Sequence, residues 1–152
     1  MEGNLIDLAE QGHFNAIVHG CNCFHTMGSG IAKEIKDRYP PAYAVDIGQT
    51  IKGDKRKLGG FTYTIVQGPA PLYWRFTIIN AYTQYRYGKD GPHVNYDAVC
   101  SVFKGIQKNF PVHYSIGYPK IGAGLAGGNW DIIQAIINKE LTKRNHHLVT
   151  LK

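Results

Sequence analysis

The sequence predicts an α/β sandwich, and three observations carry that prediction. Apolar runs of strand length recur along the 152 residues, several of them lack strict alternation, and segments of helical periodicity separate them. A run without alternation is expected of a strand covered on both faces in a parallel or mixed sheet.

Residues 14–21 (Phe-Asn-Ala-Ile-Val-His-Gly-Cys) form the first such strand. Residues 22–32 then bring polar groups and glycines and lead into Ile31, Ala32, Ile35 and Tyr39 on one helical face. Pro40 and Pro41 end that helix, and Pro41 opens another short one containing Tyr43, Ala44 and Val45. Lys52, Lys55, Arg56 and Lys57 form the densest basic cluster, in a polar glycine-containing segment that reads as a solvated loop. Strand 61–67 puts Phe61, Tyr63 and Ile65 on one side, and a Gly-Pro-Ala-Pro turn with Tyr73 and Trp74 leads to a buried strand at 75–83. Asn95 is an N-cap; Asp97 follows in the first turn, with Tyr96, Val99, Cys100, Phe103 and Ile106 at helical spacing as far as Lys108. Strand 113–118, a glycine loop, a helix over 130–143 with Trp130, Ile133, Ile137 and Leu141 on one stripe, and strand 147–151 complete the order.

A chain of this length with 43% hydrophobic residues supports one domain, 1–152, with a real core. No leader-like N-terminus and no apolar run of membrane length occurs, so a cytoplasmic protein without a membrane partner is expected. Three cysteines, Cys21, Cys23 and Cys100, cannot all pair, which fits a reducing compartment. The net charge of +6 and pI of 9.2 favour an anionic ligand, either nucleic acid or a phosphorylated small molecule. No nucleic-acid motif accompanies the basic cluster, and a monomer is expected.

Gly122, Gly124, Gly127 and Gly128 stand between the strand ending near Pro119 and the helix starting at Trp130. A strand, a glycine loop and a helix in that order build an anion site, because successive backbone N–H groups converge where the helix dipole is positive. The spacing also satisfies G-x-G-x-x-G. A dinucleotide site, however, needs that pattern on the first βα turn with an acid about 20 residues on, and strand 147–151 carries none. The Walker pattern is absent as well. Residues 22–32 make a second junction of the same kind, and if the two strands run parallel both loops open on one edge of the sheet.

The run Asn15-Ala-Ile-Val-His-Gly-Cys-Asn22 with Gly28-Ser-Gly-Ile-Ala32, and later Tyr118-Pro-Lys-Ile-Gly-Ala-Gly-Leu-Ala-Gly-Gly128, resembles the two signature loops of the macrodomain family. The form of the first loop, with Tyr82-Thr-Gln84, looks most like the branch holding ADP-ribose-1″-phosphate phosphatases and terminal ADP-ribose glycohydrolases. The resemblance implies a three-layer α/β/α sandwich with a mixed central sheet between two helix layers, an ADP-ribose ligand and a metal-independent phosphatase releasing phosphate from ADP-ribose-1″-phosphate. It leaves as alternatives a non-catalytic ADP-ribose reader and a hydrolase of ADP-ribosyl esters or O-acetyl-ADP-ribose. No cofactor is implied. By the same resemblance Asn22 contacts the distal ribose. Gly28, Ser29, Gly30 and Ile31 wrap that ribose and the diphosphate, and Gly122, Ala123, Gly124, Leu125, Ala126 and Gly127 hold phosphates with Lys120 nearby. Asn4 and Leu5 match the adenine contact, where many members have Asp. Asn80 aligns where glycohydrolases carry a nucleophilic lysine.

His25 is the candidate acid or nucleophile: a neutral imidazole can attack phosphorus, and a protonated one can donate to the leaving oxygen. A surface or hydrogen-bonded loop histidine is the competing reading. Asn129 stands where hydrolytic relatives often carry Asp; it cannot act as a base and reads first as the N-cap of the last helix, second as a ligand contact. Cys21, Cys23 and His25 alternate, but a structural zinc site wants a fourth ligand, so no metal is expected. Gln84 and Asn80 are polar contacts or structural bonds. Trp74, Tyr73, Tyr82, Tyr85 and Tyr87 supply candidate stacking rings.

Overall fold

The computed structural model describes residues 1–88, 93–124 and 126–151. Along them run α1 (Leu5–Glu10), β1 (Ala16–Cys21), α2 (Gly30–Arg38), α3 (Pro40–Gln49), a 3-10 turn (Lys55–Lys57), β2 (Phe61–Gln67), β3 (Arg75–Tyr82), α4 (Tyr96–Asn109), β4 (Ile116–Tyr118), α5 (Trp130–Glu140) and β5 (His146–Leu148). The strands form one sheet in the order β2-β3-β1-β4-β5. β1 pairs in parallel with β3 and β4, β4 pairs in parallel with β5, and β2 runs antiparallel to β3 at the edge. The sheet is therefore mixed, and the chain leaves β1, β3 and β4 on the same edge. That edge is where ligands bind in such folds.

Alternate side chains of the doubly covered strands feed two cores. Ala16, Val18, Ile79, Ala81 and Ile116 pack under α4 and α5, where Val99, Phe103, Ile133 and Ile137 are fully buried. Ile17, Phe76 and Ile78 face α1, α2 and α3 through Leu5, Ile6, Ile35 and Ala42. Burial of each large aliphatic side chain contributes about 1.5–3 kcal/mol, and these faces set the register. Three helices start as local chemistry dictates: Asn4 Oδ1 accepts from the Asp7 amide, Asn95 Oδ1 from Ala98 and Asn129 Oδ1 from Asp131.

The structure departs from expectation in several places, among them the last strand, which is His146–Leu148 rather than 147–151, and the last helix, which ends at Glu140 rather than 143. α1 is not legible as a separate helix, being six residues long. α3 begins at Pro40 rather than Pro41, with the proline in the first turn where its missing N–H costs nothing. The strand expected at 113–118 is confined to Ile116–Tyr118, because Tyr114 N–H donates to Pro111 O in a turn. The basic cluster is not uniformly solvated. Lys52, Lys55 and Arg56 are exposed, but the Lys57 side chain is 7% exposed, 3.7 Å from Asp46 Oδ1 and 4.8 Å above the Tyr82 ring. Among the described residues no helix is long and apolar enough to cross a membrane.

Candidate functional site

The loops that follow β1 and β4 face each other across one cleft of about 700 Å³. Gly20, Cys21, Asn22 and Thr26 form its floor and one side, with Gly28, Ser29, Gly30 and Ala32 at the start of α2. Gly122, Gly124 and Ala126 form the opposite side. A third wall comes from the segment after β3, through Gln84, Tyr87 and Gly88.

The first loop is shaped by side chains. Asn22, 8% exposed, accepts from the Phe24 amide at 2.8 Å through Oδ1 and donates to Thr26 Oγ1 at 2.6 Å through Nδ2. Its carboxamide thus bends the chain across the cleft wall. Ser29 precedes α2 in extended geometry and makes no side-chain cap, so the first-turn amides of α2 remain available at the positive end of the helix. Tyr43 on α3 donates to His25 O at 2.6 Å. The His25 ring turns to Thr50, with Nε2 2.9 Å from Thr50 Oγ1, and it does not line the cleft.

The second loop is shaped by the absence of side chains. Gly122 and Gly127 have φ of +74° and +72°, the left-handed region where a side chain is strained. A Cβ on Gly122 would sit 2.5 Å from Val94 Cγ2, and one on Gly128 would sit 2.6 Å from Gly122 O. Backbone bonds hold the loop, from Gly128 N–H to Gly122 O at 2.7 Å and from His93 N–H to Ala126 O at 2.6 Å.

The other sequence candidates fall in several places. Ile31 packs beside the α1–α3 core, and Ala123, Gly127 and the exposed Lys120 belong to the second loop without lining the cleft. Leu125 lies outside the described residues. Asn4 caps α1 and donates through Nδ2 to Glu34 Oε1 at 2.9 Å, while Leu5 is buried. Asn129 caps α5 and its amide donates to Tyr96 OH at 2.9 Å. Gln84 reaches the cleft; Asn80 is a fully buried structural residue. Of the aromatic candidates, Tyr87 lines the cleft, Tyr82 is core, Tyr85 lies under Lys55, and Trp74 donates to Tyr39 OH. Sequence reading missed Thr26 and the Gly88 wall. The loop after β3 could have been found from the parallel relation of β3 and β1, which puts their exits side by side.

A row of buried polar groups supports the first loop from below. His19, Asn80 and Thr62 are cross-strand neighbours on β1, β3 and β2, facing α3. Asn80 Nδ2 donates to Ala42 O and to Thr62 Oγ1, so its Oδ1 accepts from His19 Nε2 at 2.6 Å. Thr62 donates to the Tyr82 oxygen at 2.9 Å, and Tyr82 donates to Asp46 Oδ1 at 2.6 Å. The donors all run toward one carboxylate. Burial lowers the His19 pKa to about 4, against the smaller opposing effects of Asn80 and Asp46. Burial, with Asp46 second, pushes the Cys21 thiol well above its ordinary value, and burial raises Cys23 to about 11. Thiolate chemistry in the cleft is therefore disfavoured. Among the described residues no group of three His, Cys, Asp or Glu side chains is arranged to hold a metal.

No protein-family model matches the chain. It is 34% identical over 146 residues, 94% of this chain and 89% of the other, to an uncharacterized 17.5 kDa protein of the tk-vs intergenic region of Enterobacteria phage T4. A stretch of 30 residues, 20% of this chain, is 53% identical to 15% of the ADP-ribose 1″-phosphate phosphatase of Neosartorya fischeri. The fold matches the macrodomain of Thermus aquaticus DarG with a TM-score of 0.71 at 23% identity, over 99% of this chain and 95% of that one. It also matches Thermosipho africanus DarTG, solved in complex with ADP-ribose, with a TM-score of 0.71 at 18% identity, over 95% of this chain and 39% of that one. With two glycine loops on one cleft and this shared sheet over nearly its whole length, the chain has the macrodomain fold, and it shares a family with the near full-length phage T4 protein.

Proposed function

We propose that the cleft binds ADP-ribose and that the protein hydrolyses ADP-ribose-1″-phosphate to ADP-ribose and phosphate without a metal. The observation that carries this reading is the shared cleft. Two loops rich in backbone amides face one space, and none of its described lining residues is an acid that would repel a diphosphate. The fungal phosphatase stretch and the ADP-ribose complex of the Thermosipho protein support the same ligand.

In this reading Gly122, Gly124 and Ala126 and the start of α2 hold phosphates, and Asn22 with Thr26 lies along the ribose. Asn4 keeps one lone pair on Oδ1 for a base amino group, since its other bonds go to Asp7 and Glu34. Water supplies the oxygen to phosphorus and gives up one proton, while the P–O bond to the anomeric oxygen breaks and that oxygen takes a proton. A loose phosphoryl transition state asks chiefly for positioning and charge stabilisation, which amide-lined loops provide. His25, when protonated, supplies that proton from the loop between Asn22 and Thr26 and regains a proton from the attacking water.

A second reading, an ADP-ribose reader without turnover, is favoured by one specific observation: the His25 ring rests on Thr50 rather than in the cleft. Hydrolysis of ADP-ribosyl esters through a residue at position 80 is disfavoured, because Asn80 is fully buried with both amide ends bonded. The test gives the protein ADP-ribose-1″-phosphate, an ADP-ribosylated glutamate peptide and ADP-ribose alone, and follows phosphate release, ribosyl release and heat of binding. Phosphate release that survives a chelator and is lost in His25→Ala, with ADP-ribose affinity retained, is the expected result. Heat of binding without turnover makes the protein a reader.

A further inference from the structure

We infer that Thr50 is a positioning residue that holds the neutral His25 imidazole with its proton on Nε2, so that Nδ1 is the nitrogen that takes up and hands on the transferred proton. The inference rests on the role of His25 proposed above and comes from counting hydrogens around one hydroxyl. Thr50 Oγ1 lies 2.5 Å from Asp46 O, 2.9 Å from Lys57 Nζ and 2.9 Å from His25 Nε2. It has one proton and two lone pairs. A backbone carbonyl can only accept, so the Thr50 proton goes to Asp46 O. An ammonium can only donate, so Lys57 takes one lone pair. The remaining lone pair faces His25 Nε2, which must therefore carry hydrogen.

The neighbours that force this choice are themselves fixed. Lys57 and Asp46 side chains are 7% and 2% exposed, and Asp46 Oδ1 also accepts from Tyr82 OH. His25 is held in the left-handed region, φ +58°, by the Tyr43 hydroxyl on its carbonyl. Tyr43 on α3 and Thr50 at its C-terminal cap thus grip one residue of the first loop, one through its backbone and one through its ring. Nδ1 makes no hydrogen bond among the described residues and is not sealed from solvent. In a neutral imidazole the hydrogen bond at one nitrogen decides which atom does chemistry at the other.

The test reads the ring directly. In 15N-labelled protein at a pH where His25 is neutral, wild type and Thr50→Ser should give His25 a pyrrole-type Nε2 and a pyridine-type Nδ1. Thr50→Val, which keeps the shape and removes the hydroxyl, should give shifts averaged between the two tautomers. Its kcat should fall about three- to tenfold with KM unchanged, the worth of one hydrogen bond, and Thr50→Ser should restore it. A wild-type ring protonated at Nδ1, or nitrogen shifts unmoved in a folded Thr50→Val, would overturn the inference. Failure of the reaction reading shows separately, as full phosphate release by His25→Ala.

Discussion

The two loops that meet across the cleft are built by opposite means. Residues 22–30 owe their path to side chains: the Asn22 carboxamide, the Tyr43 hydroxyl and the Thr50 hydroxyl each fix a turn of backbone or a ring. Residues 119–124 and 126–128 owe theirs to missing side chains, with backbone bonds crossing spaces no Cβ could enter. The difference teaches where chemistry and where cradling reside. A loop shaped by polar side chains carries groups that can be tuned or moved. A loop shaped by glycine offers only a fixed set of amide dipoles, suited to an anion.

The largest expected effect lies in the glycine loop. Gly122→Ala combines a left-handed φ with a Cβ 2.5 Å from Val94, and should cost about 4 kcal/mol in urea unfolding, the sum of a strained φ and overpacking. A loss under a quarter of that would show that the loop yields, and would break the contrast. The next effect concerns the polar support under the first loop. The ordinary His19 pKa of 6.5 falls to about 4 on folding, so between those values the unfolded chain binds more protons. Stability from this residue is full above pH 6.5 and is lost as pH falls toward 4, by about 3 kcal/mol at the lower end. His146, lowered by its own burial, adds slope of the same sign. Urea unfolding of wild type and His19→Gln across that window should therefore show a flatter but not flat profile in the variant.

Gly124→Ala separates binding from folding in the second loop. Nothing lies within 4 Å of the Cβ and its φ is not left-handed. Stability should move by less than about 0.5 kcal/mol, while ADP-ribose affinity measured by calorimetry falls about tenfold, if the backbone approaches the ligand there. Unchanged affinity would remove Gly124 from the proposed contacts. The smallest effect is at a side-chain tie just beyond this loop: Asn129→Ala should cost about 1 kcal/mol through the lost cap of α5, and Asn129→Asp should retain most of it, as read by thermal unfolding.

Legibility in the sequence followed the same division. Periodicity and caps gave the layers, and the bounds of β2 and the cap of α4 at Asn95 were read correctly, because local chemistry decides them. Glycine spacing located the second loop. What sequence could not supply was the company kept by single polar residues. Lys57 sits in a basic run yet turns inward to Asp46, and Asn80, for which sequence leaves a ligand contact and a structural bond equally open, sits in the core. Both choices depend on α3 packing across β2 and β3, a long-range event with no local period. Tyr87 and Gln84 became one wall only when the parallel pairing of β1 and β3 was known.

The basic surplus of this protein lies away from its cleft, whose described lining carries no lysine or arginine. An anion seated there meets oriented peptide groups at contact distance, and mobile ions screen separated charges far more than they screen such close dipoles. Dissociation constants for ADP-ribose should accordingly drift little as ionic strength rises from roughly 0.05 M to 0.5 M. The excess cations then govern how fast the ligand arrives, and the cleft how long it stays.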